Sequence, residues 1–142
     1  QGVSDNTTFE LNFNHPVKEL IWTDAWKDGI YDGNEILTGD KWHLKLNGHD
    51  RFSEREYRYF TRTQVWQHHT GPGSVTSQDG IAVYSFALKP EEHQPSGTCN
   101  FSRIDNAQLK CIKTTAGNMN IYAVNYNVLR IMSGMGGLAY SN

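Results

Sequence analysis

The sequence predicts an all-β fold: an eight-stranded antiparallel jelly-roll β-sandwich with long loops and one short helix. Three observations predict it. Aromatic residues make up 12% of the chain, four Trp and seven Tyr among them, and flat rings pack well on a pleated surface. Thirteen glycines suit a chain rich in turns. Short stretches that alternate apolar and polar recur between turn signals. They come to about eight, the number that two jelly-roll sheets share.

The elements follow in order. Residues 1–8, QGVSDNTT, are polar and read as a linker or leader, with a single domain over 9–142. In FELNF, Phe9, Leu11 and Phe13 alternate with Glu10 and Asn12, the pattern of a half-buried strand. His15-Pro16 interrupts it, and VKELIW resumes to Trp22. Residues 23–40 hold two Asp-Gly pairs and form a long loop. Trp26, Ile30 and Tyr31 lie within it, so the loop is expected to be packed.

KWHLKLNG is a clean strand: Trp42, Leu44 and Leu46 alternate with Lys41, His43 and Lys45, and Asn47-Gly48 closes it with a hairpin-turn signal. Ser53 followed by Glu56 is a capping-box spacing, which predicts a short helix near 53–60 and an extended exit through Val65 and Trp66. Residues 68–80 form a second loop. IAVYSFAL, residues 81–88, is apolar or small throughout and predicts a strand covered on both faces. TCNFSRI and AQLKCIK predict two more strands joined near Asp105-Asn106, and NIYAVNYNVLRIM another alternating run. The SGMGGLAYSN end is expected to be flexible at its glycines and anchored by Leu138 and Tyr140.

Length and charge narrow the function. A chain of 142 residues buries roughly 70% of its unfolded surface, enough for a core without staples. Net charge is −2, and the basic stretch from Arg51 to Arg62 is broken by Glu54 and Glu56, so no nucleic-acid stripe is visible. Cys99 and Cys111 form neither a disulfide framework nor a metal motif and are expected to be free thiols. No apolar run approaches a membrane span. The chain opens on Gln1 without a signal peptide, so we expect a processed product, an engineered piece or the ordered part of a longer chain.

The stretch FALKPEEHQPSGTCNFSR, Phe86 to Arg103, looks at first like the contents of an active site. Glu91 and Glu92 are neighbours and would point to opposite sides if extended, and no further carboxylate is placed to help. Pro90 and Pro95 bracket a corner, and Pro95-Ser96-Gly97 is a turn signature. The stretch therefore reads as scaffold. His15, His43, His49, His68, His69 and His93 contain no His-x-His pair. No nucleophile elbow, phosphate loop or dinucleotide fingerprint occurs. No catalytic residue, metal or cofactor is expected. The sequons at Asn6 and Asn100 mark candidate glycan acceptors.

Four stretches then carry a resemblance: FNHPVKELIW, LNGHDRF, YSFALKPEEHQPSGTCNFSRIDNAQL and YAVNYNVLRIMSGMGGLAYSN. They resemble the major capsid proteins of nucleocytoplasmic large DNA viruses, the group of phycodnaviruses, iridoviruses and mimivirus-like viruses. The likeness runs from Phe9 onward, and QHHTGPG is similar to a family loop. The family's chain carries two jelly rolls, and this one looks like the second.

The resemblance implies a structural role in the virion: double-jelly-roll chains trimerise into pseudo-hexameric capsomers that tile an icosahedral shell, made in the host cytoplasm. The implied partners are the chain itself in a homotrimer, neighbouring capsomers and minor capsid proteins. An inner viral membrane lies nearby without insertion, and nucleic acid is not touched directly. Trp26, Ile30, Tyr31, His68 and His69 become candidate interface or outer-loop residues. The competing readings are a carbohydrate-binding, lectin-like jelly roll, which shares the architecture, and a cupin-like metalloenzyme, which the missing His-x-His disfavours.

Overall fold

The computed structural model describes residues 8–24, 41–71, 81–112, 119–132 and 134–139. Within them lie the strands β1 (Thr8–Glu10), β2 (Pro16–Asp24), β3 (Lys41–Leu46), β4 (His49–Glu56), β5 (Ile81–Ser85), β6 (Cys99–Asn100), β7 (Ala107–Ile112), β8 (Met119–Asn125), β9 (Leu129–Met132) and β10 (Met135–Leu138). A π-helical turn, Tyr59–Thr63, runs into α1, Gln64–His68, and a 3-10 turn spans Phe101–Arg103.

Two antiparallel sheets face each other. The first has the order β1-β7-β3-β4. The second is built on β2. Val17 pairs with Cys99 of β6 and Asn125 of β8, while Glu19 pairs with Ser85 of β5 and Val124 of β8. So β8 holds one edge of β2, and β5 and β6 follow each other along the opposite edge. β9 and β10 pair with each other as a separate hairpin.

The core lies between the sheets. Trp42, Leu44 and Leu109 of the first sheet and Val17, Leu20 and Trp22 of the second are fully buried. An irregularity between Val17 and Glu19 flips the strand's parity, and this lets Val17 and Leu20 both face inward. Trp22 and Trp42 meet across the sandwich with ring centroids 5.6 Å apart. The aromatic packing continues through Phe60, Phe52 and Tyr84 at 5.2, 5.3 and 4.6 Å. Each fully buried large apolar side chain contributes roughly 1.5–3 kcal/mol.

The outer faces differ in chemistry. On the first sheet, register places His43 beside Lys110, Lys45 beside Gln108 and Asp50, and Lys41 beside Glu56. That face is charged and wet. On the second sheet, Ile21 lies beside Val83 and Tyr122, and Val124 beside Glu19.

Several expectations hold. Asn47 and Gly48 adopt φ of +51° and +81°, the left-handed pair that a two-residue hairpin requires. Cys99 and Cys111 are free. Asn47 Oδ1 accepts from Asp105 N and Asn106 N and ties the two joins together.

Others need correction. Residues 53–56 belong to β4, not to a helix, because Phe52 pairs with Leu44 and Arg55 with Trp42. Ladder pairing outweighs the local capping-box spacing. The helical segment comes later, and Val65 and Trp66 are helical rather than extended. TCNFSRI keeps only two strand residues, since the Asn100 side chain accepts from Ser102 N and turns the chain into the 3-10 turn. In IAVYSFAL the strand ends at Ser85, and Ile81 is exposed. Met135–Leu138 is a strand rather than a flexible tail. Leu138 is 59% exposed, so it does not pin the end to the core. Tyr140 lies outside the described residues.

Candidate functional site

The polar corner takes its shape from backbone needs. Lys89 N donates to Ser96 Oγ, and Leu88 N donates to Ser96 O. Gly97 sits at φ +144°, where a Cβ would stand 2.5 Å from Phe86 O. Pro90 is buried. These bonds close residues 88–97 into a compact corner after β5.

His69 joins this corner to the second sheet. Its Nε2 lies 2.7 Å from Glu19 Oε1, and its Nδ1 lies 2.9 Å from Glu91 Oε1. Glu19 is 3% exposed. It points to the outer face of β2, and the imidazole supplies the contact that makes burial of its carboxylate tolerable. Each ring nitrogen thus sits within hydrogen-bond distance of a carboxylate oxygen. Thr70 adds its backbone N–H to Glu91 Oε1 at 3.1 Å and its hydroxyl to Oε2 at 3.0 Å. Chiefly through the Thr70 N–H, and then through the His69 ring, the Glu91 carboxyl is held below the usual glutamate range.

The helical segment is tied in at further points. Ser85 N donates to Gln64 Oε1, and Gln64 Nε2 donates to Tyr59 Oη. His68 Nδ1 lies 3.1 Å from Leu88 O. The assembly is a clamp: β2, α1 and the corner after β5 are held together through His68, His69, Gln64, Glu19 and Glu91.

The candidate residues fall as follows. His68 and His69 come together, and both rings contact groups of the same chain. Trp26, Ile30, Tyr31 and Asn6 lie outside the described residues. Asn100 is exposed, and its side chain caps the turn after β6. Glu91 pairs with His69, while Glu92 lies 3.6 Å from Lys89, so the two glutamates do not act as a pair. The expectation that no further carboxylate approaches is corrected by Glu19, which reaches the same imidazole from fifty positions away. Its signal was an ionisable residue inside an apolar strand. Among the described residues no group of three or more His, Cys, Asp and Glu is arranged to hold a metal ion.

A second feature is apolar. Tyr122, Val124, Leu129, Ile131, Met132 and Leu138 are all exposed, and they sit on β8 and on the β9–β10 hairpin that follows it.

The family described as large eukaryotic DNA virus major capsid protein matches residues 1–137. The chain is 51% identical over 160 residues to the major capsid protein of Pyramimonas orientalis virus, covering 98% of this chain and 40% of that protein. It is 64% identical over 149 residues to the major capsid protein of Phaeocystis pouchetii virus, covering 99% of this chain and 25% of that one. Among solved structures it superposes on a chain of the PBCV-1 virus capsid with a TM-score of 0.72 at 36% identity, covering 95% of this chain and 46% of that chain. It thus spans less than half the length of each of these relatives. The lectin-like reading rested on the architecture alone, and the match in sequence and fold together takes its place: the chain belongs to the large eukaryotic DNA virus major capsid protein family.

Proposed function

We propose that this chain is one jelly roll, the second of two, in a capsid building block. Three double-jelly-roll chains form a trimer of pseudo-hexagonal outline, and such capsomers tile an icosahedral shell in the virion after assembly in the host cytoplasm. The partners are further copies of the chain, neighbouring capsomers and minor capsid proteins, with no catalytic task. Trp26, Ile30 and Tyr31, in the sequence between β2 and β3, serve as trimer or outer-surface contacts.

The observation that supports this best is the superposition of the whole sandwich on 46% of a capsid chain at 36% identity. A unit filling about half of such a chain leaves room for a second of its size. The physical logic agrees. A shell subunit needs a rigid sandwich, and the Trp22–Trp42 packing and the His69 clamp provide rigidity. The test is the mass of the full-length polypeptide in solution by light scattering. Three chains per particle is the expected result, and a monomer at every concentration would overturn the reading.

A further inference from the structure

We infer that Arg51 and Arg55, with the Tyr84 hydroxyl between them, form a binding site for a tetrahedral oxyanion of the phosphate or sulfate class. The site lies on the open edge of the first sheet, and the inference does not depend on the capsid reading above.

The first observation is how β4 sorts its charges. Among the described residues β4 ends its sheet, with β3 on one side only. Its acids are engaged: Asp50 lies 4.0 Å from Lys45, Glu54 3.9 Å from His43 and Glu56 3.8 Å from Arg58. Its arginines go the other way. Arg55 pairs with the fully buried Trp42, and cross-strand neighbours share a face, so Arg55 leaves on the core side. Leu44 pairs with Phe52 and Lys45 with Asp50, which makes Arg51 the extra residue of a bulge, a device that re-aims a side chain at a sheet edge. Neither guanidinium has a carboxylate partner among the described residues.

The second observation is what the arginines rest on. Arg51 Cζ lies 5.9 Å from the centre of the Phe86 ring, and Arg55 Cζ lies 4.6 Å from that of Tyr59. Both are cation–π distances. A guanidinium held over a ring is fixed in place and keeps its N–H fork for other partners. Tyr84 joins the two. Its ring packs on Phe52 and Phe86, with centroids 4.6 and 5.1 Å away. Arg51 hydrogen-bonds its hydroxyl, and Arg55 lies within electrostatic reach of it, so two cations converge on one phenol. Burial pushes the Tyr84 pKa up against the pull of the Arg51 charge, and the hydroxyl stays protonated at neutral pH. Arginine can only donate, so the phenol oxygen accepts from Arg51 and its own O–H is left to donate to a ligand.

The ligand class follows from these donors. Two guanidinium groups supply two positive charges and forked N–H donors, and the phenol adds a donor from a third direction. A phosphate or sulfate group carries close to two negative charges and at least three acceptor oxygens, so it answers both the charge and the donors. A carboxylate offers one charge and two oxygens in a plane. Two arginines make a point site rather than the basic stripe that nucleic acid needs. The shared chemistry is the tetrahedral oxyanion, either free in solution or esterified to a small molecule.

The experiment is equilibrium dialysis of the full native polypeptide that contains this chain against radiolabelled inorganic phosphate at fixed ionic strength. It compares the wild type with Arg51→Gln/Arg55→Gln, with Tyr84→Phe, and with Arg130→Gln on β9 as control. Near-ultraviolet circular dichroism of the tryptophans reports on the fold. Binding at one site per chain is expected to weaken at least tenfold in the double variant and about threefold in Tyr84→Phe, with unchanged dichroism, and to be unaltered in Arg130→Gln. Should the double variant lose its dichroism, Tyr84→Phe carries the test. Unlabelled sulfate is expected to displace the label, and acetate at the same concentration is not. Phenyl phosphate separates the two sources: displacement as strong as by inorganic phosphate supports an esterified ligand, and displacement by the inorganic ions alone supports a free one. A wild type that retains no phosphate would overturn the site. So would retention equal to wild type in the folded variants, or acetate displacing as well as sulfate. None of these outcomes bears on the mass of the full-length particle, which decides the capsid reading separately.

Discussion

His69 Nε2 lies 2.7 Å from Glu19 Oε1, and Glu19 is almost wholly buried. The pair joins the end of α1 to the central strand of the second sheet. A carboxylate in that position is tolerated because the imidazole faces it. Replacing His69 with Ala leaves the buried Glu19 carboxyl without this hydrogen-bond partner, at a cost of roughly 1–3 kcal/mol. Glu19→Gln keeps a hydrogen-bonding group facing the imidazole, so its loss is smaller, about 1 kcal/mol. Urea unfolding midpoints check both. Equal losses in the two variants would mean that the His69 contact is not what holds the strand to the helix.

Glu91 titrates in a way that follows from its contacts. The Thr70 N–H and the His69 ring favour the ionised form and lower its pKa. A carboxyl with a depressed folded pKa contributes stability that is fully present above its unfolded value, about 4.3. That stability is lost as pH falls through the folded value. The tether between Thr70 and the corner therefore persists at neutral and mildly acidic pH and loosens only in stronger acid. Carboxyl carbon NMR of Glu91 is expected to give a midpoint below about 4.3, with the Thr70 amide shift moving in step. A midpoint at or above that value would contradict the geometry.

The sandwich depends on the contact between Trp22 and Trp42, both fully buried. Trp42→Ala empties the centre and is expected to cost about 3–5 kcal/mol. The Trp42 indole N–H has no hydrogen-bond partner among the described residues. Trp42→Phe therefore loses volume but no bond, and about 1–2 kcal/mol is expected. Thermal unfolding of both variants measures the gap, and a Phe variant as weak as the Ala variant would show that the indole N–H is bonded after all.

Gly97 tests whether the corner is scaffold. A methyl group there meets Phe86 O at 2.5 Å, and φ is +144°. Both the clash and the backbone conformation disfavour any side chain. Gly97→Ala is expected to destabilise by about 2 kcal/mol or more, measured by denaturant unfolding. A neutral result would mean that the corner rearranges freely.

Much of the fold was legible because local and global preferences agreed. The Trp42, Leu44, Leu46 alternation ended at Asn47-Gly48, and the turn chemistry set the pairing of Leu46 with His49, beyond which irregularities at Leu44 shift the register. The helix was misplaced because Ser53 and Glu56 have a capping-box spacing, yet pairing to β3 decided their conformation. The clamp was not legible. His69 and Glu19 meet only because α1 packs on β5, the strand paired with β2, and spacing along the chain carries no trace of that. The exposure of the hairpin was hidden for a related reason. Leu129, Ile131 and Leu138 look like core residues in any hydropathy pattern, and only the absence of a third strand shows that nothing described covers them. The family likeness carried the functional reading, since the residues taken singly led no further than a jelly roll without a visible active site.

The most direct test of the central claim is negative-stain electron microscopy of the full native polypeptide that contains this chain. The account predicts particles of hexagonal outline built from three chains, with this jelly roll filling alternate positions around the ring. Small single-domain particles, with no trimer at any concentration, would contradict it.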